Sequence, residues 1–463
     1  MRYVSTRGQA PAVSFKNALV AGLAPDGGLY HPESWPTFSR AEIAGFQHRP
    51  YAEVAFAVFE KFVDGEIKAE ALRALIDDAY ASFHHRAVAP LVQMGPNDWM
   101  LELFHGPTLA FKDIAMQILA RLMEHVLHER GERRTIVGAT SGDTGGAALD
   151  AFKGRPAIDV FFLYPDGRIS EFQRRQMTTL GADNAHAISV KGSFDDCQAM
   201  VKAMFGDVAF ANKVRLAAVN SINWCRIIAQ SVYYFTAAAA LGAPDRPVSF
   251  AVPTGNFGDA YAGLVARRMG LAVEHLIIAT NENDILARTL ATGVHRIDGV
   301  TSTITPAMDI QLPSNFERAL FELSHRDTSL VTTLMGELRE SGFYRLPKWL
   351  QGNLAATFMA GRANCAETTA EMLRLSRTNG YVCDPHTGVA SRVAREFLDP
   401  TTPMIFLGTA HPAKFFDTVL QSVGIPPQIP TWAAIPDDRP ERVTLLDNDQ
   451  ALVEDFILER VRG

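Results

Sequence analysis

One lysine and two glycine-rich loops hold most of the chemistry that this 463-residue sequence could perform. Lys112 stands in PTLAFKDIAMQILARLM, where Phe111, Ile114, Ala115, Ile118, Leu119 and Leu122 recur at helical spacing behind Pro107. Two readings fit that pattern. A lysine at a helix start is commonly just solvated, whereas desolvation by Leu109 and Phe111 would lower the pKa of the amine and make it a nucleophile. The loop TGNFGD (residues 254–259) leaves a strand-like run and opens a helix. Its two glycines allow successive N–H groups to turn inward as an anion nest, which is either a phosphate site or a tight turn with no ligand. Asp259 would repel a bound phosphate unless it points away or bonds to a backbone N–H. The loop TSGDTGG (residues 140–146) has the same topology and offers the hydroxyls of Thr140, Ser141 and Thr144. It could hold a carboxylate, or be a helix start capped by Asp143. Neither GxxxxGK[ST] nor GxGxxG occurs, which disfavours mononucleotide and dinucleotide binding. His125 and His128 lack an HExxH pattern or a third ligand, so they read as a solvated helix face and no metal site is expected.

Strands feeding polar turns must position these loops. Residues 134–139, 248–252 and 404–407 read as buried strands, followed by the loops at 140–146 and 253–258 and the turn at 408–412, with helices expected over 146–152 and 259–269. Upstream, 51–62 and 69–83 have helical periodicity, and a turn cluster at 95–98 marks a boundary. The expected division is a mostly helical unit over 1–97, a smaller α/β lobe over 98–235 and a larger one over 236–463. Composition agrees with a soluble multi-domain protein: 47% hydrophobic, 21% charged, and 44 Lys+Arg against 51 Asp+Glu for a net −7. No global basic field favours nucleic acid, and no apolar stretch or leader pattern favours a membrane or export. Four cysteines with no CxxC pair suit a reduced, cytoplasmic setting. Nothing in the sequence sets an oligomeric state.

Five ordered motifs, LELFHGPTLAFKD (101–113), GATSGDTGGAA (138–148), NSINWCR (220–226), PTGNFGD (253–259) and LGTAHPAKF (407–415), together resemble the threonine synthase family. The opening SFKNALVAGLAPDGGLYHP (14–32) is similar to its longer bacterial and fungal form. The resemblance implies the tryptophan synthase β-like fold of pyridoxal-phosphate enzymes (fold type II): two open twisted α/β lobes plus an N-terminal helical unit. It implies a carbon–oxygen lyase converting O-phospho-L-homoserine and water into L-threonine and phosphate. By the same resemblance, Lys112 would hold the cofactor and move protons. Gly255, Asn256, Phe257, Gly258 and Asp259 would hold the cofactor phosphate, Thr409 would face the pyridine nitrogen, and Asp143 would stand where related enzymes carry an asparagine near the 3′-oxygen. Asn220, Ser221, Asn223 and Arg226 would contact the substrate phosphate, with Thr140, Ser141 and Thr144 gripping its carboxylate or phosphate. A phospho-lyase on the same scaffold, releasing 2-oxobutyrate, is the alternative outcome of the same residues.

Overall fold

Parallel strands buried on both faces need apolar runs throughout, and Ile158–Pro165 and Val248–Pro253 are buried along their whole length. They lie at the centres of two sheets in the computed structural model, which describes residues 1–462. The larger sheet has six strands in the order Phe358–Arg362, Val273–Thr280, Val248–Pro253, Met404–Gly408, Asp98–Glu102 and Leu91–Gln93. Only the last pair is antiparallel. The smaller sheet is parallel throughout, in the order Thr444–Asp447, Ala185–Lys191, Ile158–Pro165, Arg134–Ala139 and Leu216–Ala217. The expected strands at 134–139, 248–252 and 404–407 are observed as Arg134–Ala139, Val248–Pro253 and Met404–Gly408. The helices they feed start at Asp143 and Gly258, the first of them three residues earlier than its hydrophobic pattern indicates. Polar residues can form a helix's first turn, so apolar periodicity marks its start late.

The chain crosses between the lobes at both ends of the expected division. Asp98–Glu102, expected in the smaller lobe, pairs with Met404–Gly408 in the larger sheet. Thr444–Asp447, expected in the larger lobe, extends the smaller sheet beside Ala185–Lys191, and Val453 and Ile457 of the helix Gln450–Arg460 enter the smaller lobe's core. Strand pairing is a long-range choice that local composition does not encode.

The N-terminal unit has the helices Phe15–Ala21, Arg40–Ala44, Tyr51–Val63 and Ala69–Ala81 and a short antiparallel pair, Tyr3–Ser5 with Tyr30–Pro32. It has no separate core. Phe59, Phe62 and Tyr3 share one apolar cluster with Trp224, Ile227 and Val232 of the long buried helix Trp224–Ala240, and the Phe62 and Trp224 rings meet edge-on at 5.8 Å. That packing fixes the helix that carries Arg226.

Candidate active site

Lys112 is the first residue of the helix Lys112–Arg130. The segment before it is laced to the turn after Met404–Gly408: Leu103 N–H donates to Gly408 O (2.9 Å), Phe111 N–H to Thr409 O (2.9 Å) and His411 N–H to Leu109 O (3.0 Å). These bonds hold Leu109 at φ 62°, a left-handed conformation that a bulky residue adopts only when its surroundings over-determine it. Thr409 is thereby fixed beside Lys112. The Lys112 side chain is only 12% exposed, with its amine over the Phe111 ring at 4.7 Å. A solvated helix start does not describe it. Burial pushes its pKa below the ordinary lysine value; Asp143 opposes the shift, while Arg226 and Lys414 reinforce it. Next to it, Asp113 accepts from the Thr108 N–H (2.7 Å) and hydroxyl (2.6 Å), and burial raises its carboxyl to about 7.

The loop at 140–146 enters the helix Asp143–Phe152 through Gly142 at φ 127°, where a Cβ would come within 2.5 Å of Gln173. Asp143 sits in the first helical turn, where the N-terminal dipole favours a carboxylate. One of its oxygens accepts from Gln173 Nε2 (2.9 Å) and lies 3.1 Å from Lys414 Nζ; the other is 3.8 Å from Lys112 Nζ. Burial works against its charge, but Lys414, Lys112 and the Gln173 amide outweigh burial and hold it well below the usual carboxylate range. The Thr140 hydroxyl accepts the N–H groups of Gly142 and Gly145, both at 2.9 Å, so it braces the loop from inside and retains only its proton for a ligand. Ser141 and Thr144 are half-buried.

The loop at 254–259 leaves no room for a side chain at Gly255, where a Cβ would stand 2.6 Å from Ala307 O. Phe257 turns the chain at φ 63° and is wedged between Phe316 (5.2 Å) and Phe358 (5.3 Å). The Asn256 carbonyl accepts from Asn315 N–H (3.1 Å) and Nδ2 (3.2 Å). At the helix entry Gly258 presents backbone only, and a Cβ there would lie 3.2 Å from Asn315 Nδ2. Asp259 turns toward the long helix, accepting the hydroxyls of Tyr233 and Tyr234 (3.0 Å to the latter). Its other oxygen is buried without a partner, and burial lifts its carboxyl to about 6.

Arg226 is buried at 3% exposure, close enough to Lys112 for mutual repulsion. The one hydrogen bond of its guanidinium among the described residues is a long contact from Nη1 to Val219 O (3.4 Å), and Nε has no partner. Desolvation draws its pKa down to about 10. Of its expected companions, Asn220 is exposed and Ser221 half-buried. Asn223 is placed differently from expectation. Its Nδ2 donates to Leu19 O in the N-terminal unit (2.9 Å) and its Oδ1 accepts from Cys225 N–H (3.0 Å) as the cap of the helix Trp224–Ala240, so both ends of the amide are engaged within the protein.

Comparison with known proteins bears on this geometry. Residues 94–334 match the model for pyridoxal-phosphate dependent enzymes, residues 2–80 the threonine synthase N terminus, and residues 387–457 the threonine synthase C-terminal segment. A threonine synthase from Pseudomonas aeruginosa is 49% identical over 462 residues, covering 99% of this chain and 98% of that protein. The chain belongs to the threonine synthase family. A pyridoxal-phosphate-bound threonine synthase from Brucella melitensis superimposes with a TM-score of 0.98 at 52% identity over the full length of both chains. The yeast threonine synthase does so at 0.93 and 37% identity, covering 99% of this chain and 98% of that one. A threonine deaminase from Solanum lycopersicum, 12% identical with a TM-score of 0.51 over 78% of this chain and 95% of that one, shares the fold alone. The chain is therefore a pyridoxal-phosphate-dependent enzyme of fold type II.

Its residues suit that cofactor on their own terms. A buried amine and a loop with backbone only at Gly255 and Gly258 are groups that an aldehyde-bearing phosphate ester would satisfy. Three members of this site were not anticipated. Lys414, fully buried, donates to Thr108 O (2.6 Å) and Gln176 Oε1 (2.9 Å) and pairs with Asp143. Gln173 orients Asp143. His386, its Nδ1 2.9 Å from Asp384, acts on the Asp143 charge and leaves a buried Nε2 unpartnered. Of these, Lys414 alone lies inside a motif of the sequence, at the penultimate position of LGTAHPAKF.

Proposed function

We propose that this enzyme converts O-phospho-L-homoserine and water into L-threonine and inorganic phosphate. Arg226 is the observation that carries this reading. A guanidinium removed from water and left without a carboxylate is strongly unfavourable, so the pocket is built for an anion that arrives with the substrate. Arg226 can meet a phosphate bidentately, and it does so within the field of Lys112, where the protons must move. Asn220 and Ser221 lie in the segment leading to that helix and extend the same phosphate site. Ser141, Thr144 and the Thr140 proton supply donors for the substrate's second anionic group. The inward N–H groups of residues 255–259 hold the cofactor phosphate, with the Asp259 carboxylate turned aside to Tyr233 and Tyr234.

When bound through Lys112, pyridoxal phosphate supplies the electron sink that lets protons leave the carbons next to the substrate amino group. The protein supplies the rest. Once released by substrate, the desolvated Lys112 amine takes the proton from Cα and then serves Cβ. Arg226 stabilises the charge that grows on the phosphate as it leaves Cγ. Thr409, whose carbonyl accepts the Phe111 N–H next to Lys112, would offer the ring nitrogen a hydroxyl, a weaker partner than a carboxylate, so proton placement by Lys112 would weigh more heavily. A cytoplasmic setting belongs to the same reading, supported by four cysteines that are all free thiols.

Purified enzyme given O-phosphohomoserine should release threonine and phosphate in equal amounts. Phosphate released with 2-oxobutyrate in place of threonine would overturn the assignment.

A further inference from the structure

Two buried amines share one carboxylate in this site, and they are not equivalent. Lys414 comes from the turn after Met404–Gly408 in the larger lobe, and its side chain is fully buried. It donates hydrogen bonds to Thr108 O at 2.6 Å in the approach to Lys112 and to Gln176 Oε1 at 2.9 Å on the helix Glu171–Thr178, and forms an ion pair with Asp143 at 3.1 Å. Lys112 has no hydrogen-bonded acceptor among the described residues, only the second Asp143 oxygen at 3.8 Å and the face of Phe111.

We propose that Lys414 is a positioning residue: it takes up the charge of Asp143 and fixes that carboxylate to Gln173 and the helix start, leaving the Lys112 amine free to act on cofactor and substrate. The charged groups around Lys112 are Asp143, Arg226, Lys414, Asp113 and Asp259, and His386 faces Asp143 from the helix Pro385–Ala394. Of the two lysines beside Asp143, Lys414 makes the shorter contact, 3.1 Å against 3.8 Å for Lys112, so its loss hands the carboxylate to Lys112. The proposal rests on Lys112 being the residue that carries the cofactor.

The test is a pH titration of the visible absorption of the holoenzyme, which reports the proton on the nitrogen joining Lys112 to the cofactor. Lys414→Gln should move the midpoint up by about 1 pH unit or more, because a carboxylate within 4–6 Å is then unshared. Lys414→Arg, which keeps the charge, should stay near wild type, and Asp143→Asn should move the midpoint down. A Lys414→Gln midpoint that stays at the wild-type value, or Arg and Gln variants that shift equally, would overturn the proposal. Should Lys414→Gln not fold, Asp143→Asn decides alone: an unchanged midpoint there means the carboxylate does not reach Lys112. Lys112→Ala separates the two levels of the argument. Loss of the pH-dependent band supports the cofactor assignment, and its survival would overturn that assignment together with the proposal.

Discussion

Arg226 and Lys112 show how a site can be read from what its residues lack. Arg226 is a buried cation with one long hydrogen bond, so it weakens the free protein and acts only when an anion is present. Arg226→Met should lower kcat/KM for the phosphorylated substrate about 100-fold or more, while the Tm of the free enzyme does not fall. A variant that loses stability and activity in parallel would mark Arg226 as structural. A second residue titrates in its own right. Burial raises the Asp259 carboxyl from 3.8 to about 6, so the folded chain holds this proton more tightly than the unfolded chain does. The stabilisation is full below the unfolded value and is lost as pH rises through the folded one. Asp259→Asn removes it, so the Tm difference, wild type minus variant, should be more positive near pH 4 than near pH 7 in paired melting curves. Lys112 was half legible from its local pattern: the desolvating residues Leu109 and Phe111 are its chain neighbours, but the same spacing fits a solvated helix start, and the family resemblance gave it its role. The role of Lys414 was not legible, because its partners Thr108, Gln176 and Asp143 are far away in sequence.

Helix starts carry the chemistry, and the caps decide which polar residues are available for it. Lys112, Asp143 and Gly258 each begin a helix at the carboxyl end of a strand or of the segment leaving it, which is where parallel sheets leave N–H groups pointing at ligands. Strand, glycine and apolar periodicity placed the starts at Asp143 and Gly258 to within three residues and one residue. Asn223 could not be separated from a ligand contact by pattern, because its partner Leu19 O belongs to the N-terminal unit. Asn223→Ala should cost about 1–2 kcal/mol from the lost cap and the stranded carbonyl. Denaturant titration should show that loss with KM for substrate nearly unchanged. A raised KM at undiminished stability would return Asn223 to the substrate site.

The whole molecule is two sheets tied together by chain that crosses between them, with the N-terminal helices packed into an apolar cluster that takes in residues of both sheets. The sheets were legible as strand–loop–helix units, but the membership of their edge strands was not, since pairing depends on partners hundreds of residues apart. The C-terminal segment closes the smaller sheet: Thr444–Asp447 covers its edge, and Arg462 Nε bonds to the buried Asp159 at 2.5 Å. Truncation after residue 440 should destabilise the enzyme by on the order of 3 kcal/mol or more and promote aggregation through the bared edge, as light scattering during thermal unfolding would show. Both lobes converge on one reaction, and isotope placement tests that reaction most directly. With O-phosphohomoserine in oxygen-18 water, the threonine hydroxyl should carry the label and the released phosphate should not, because the Cγ–O bond breaks and water adds at Cβ. Label in the phosphate, or a labelled oxo acid in place of threonine, would contradict the account.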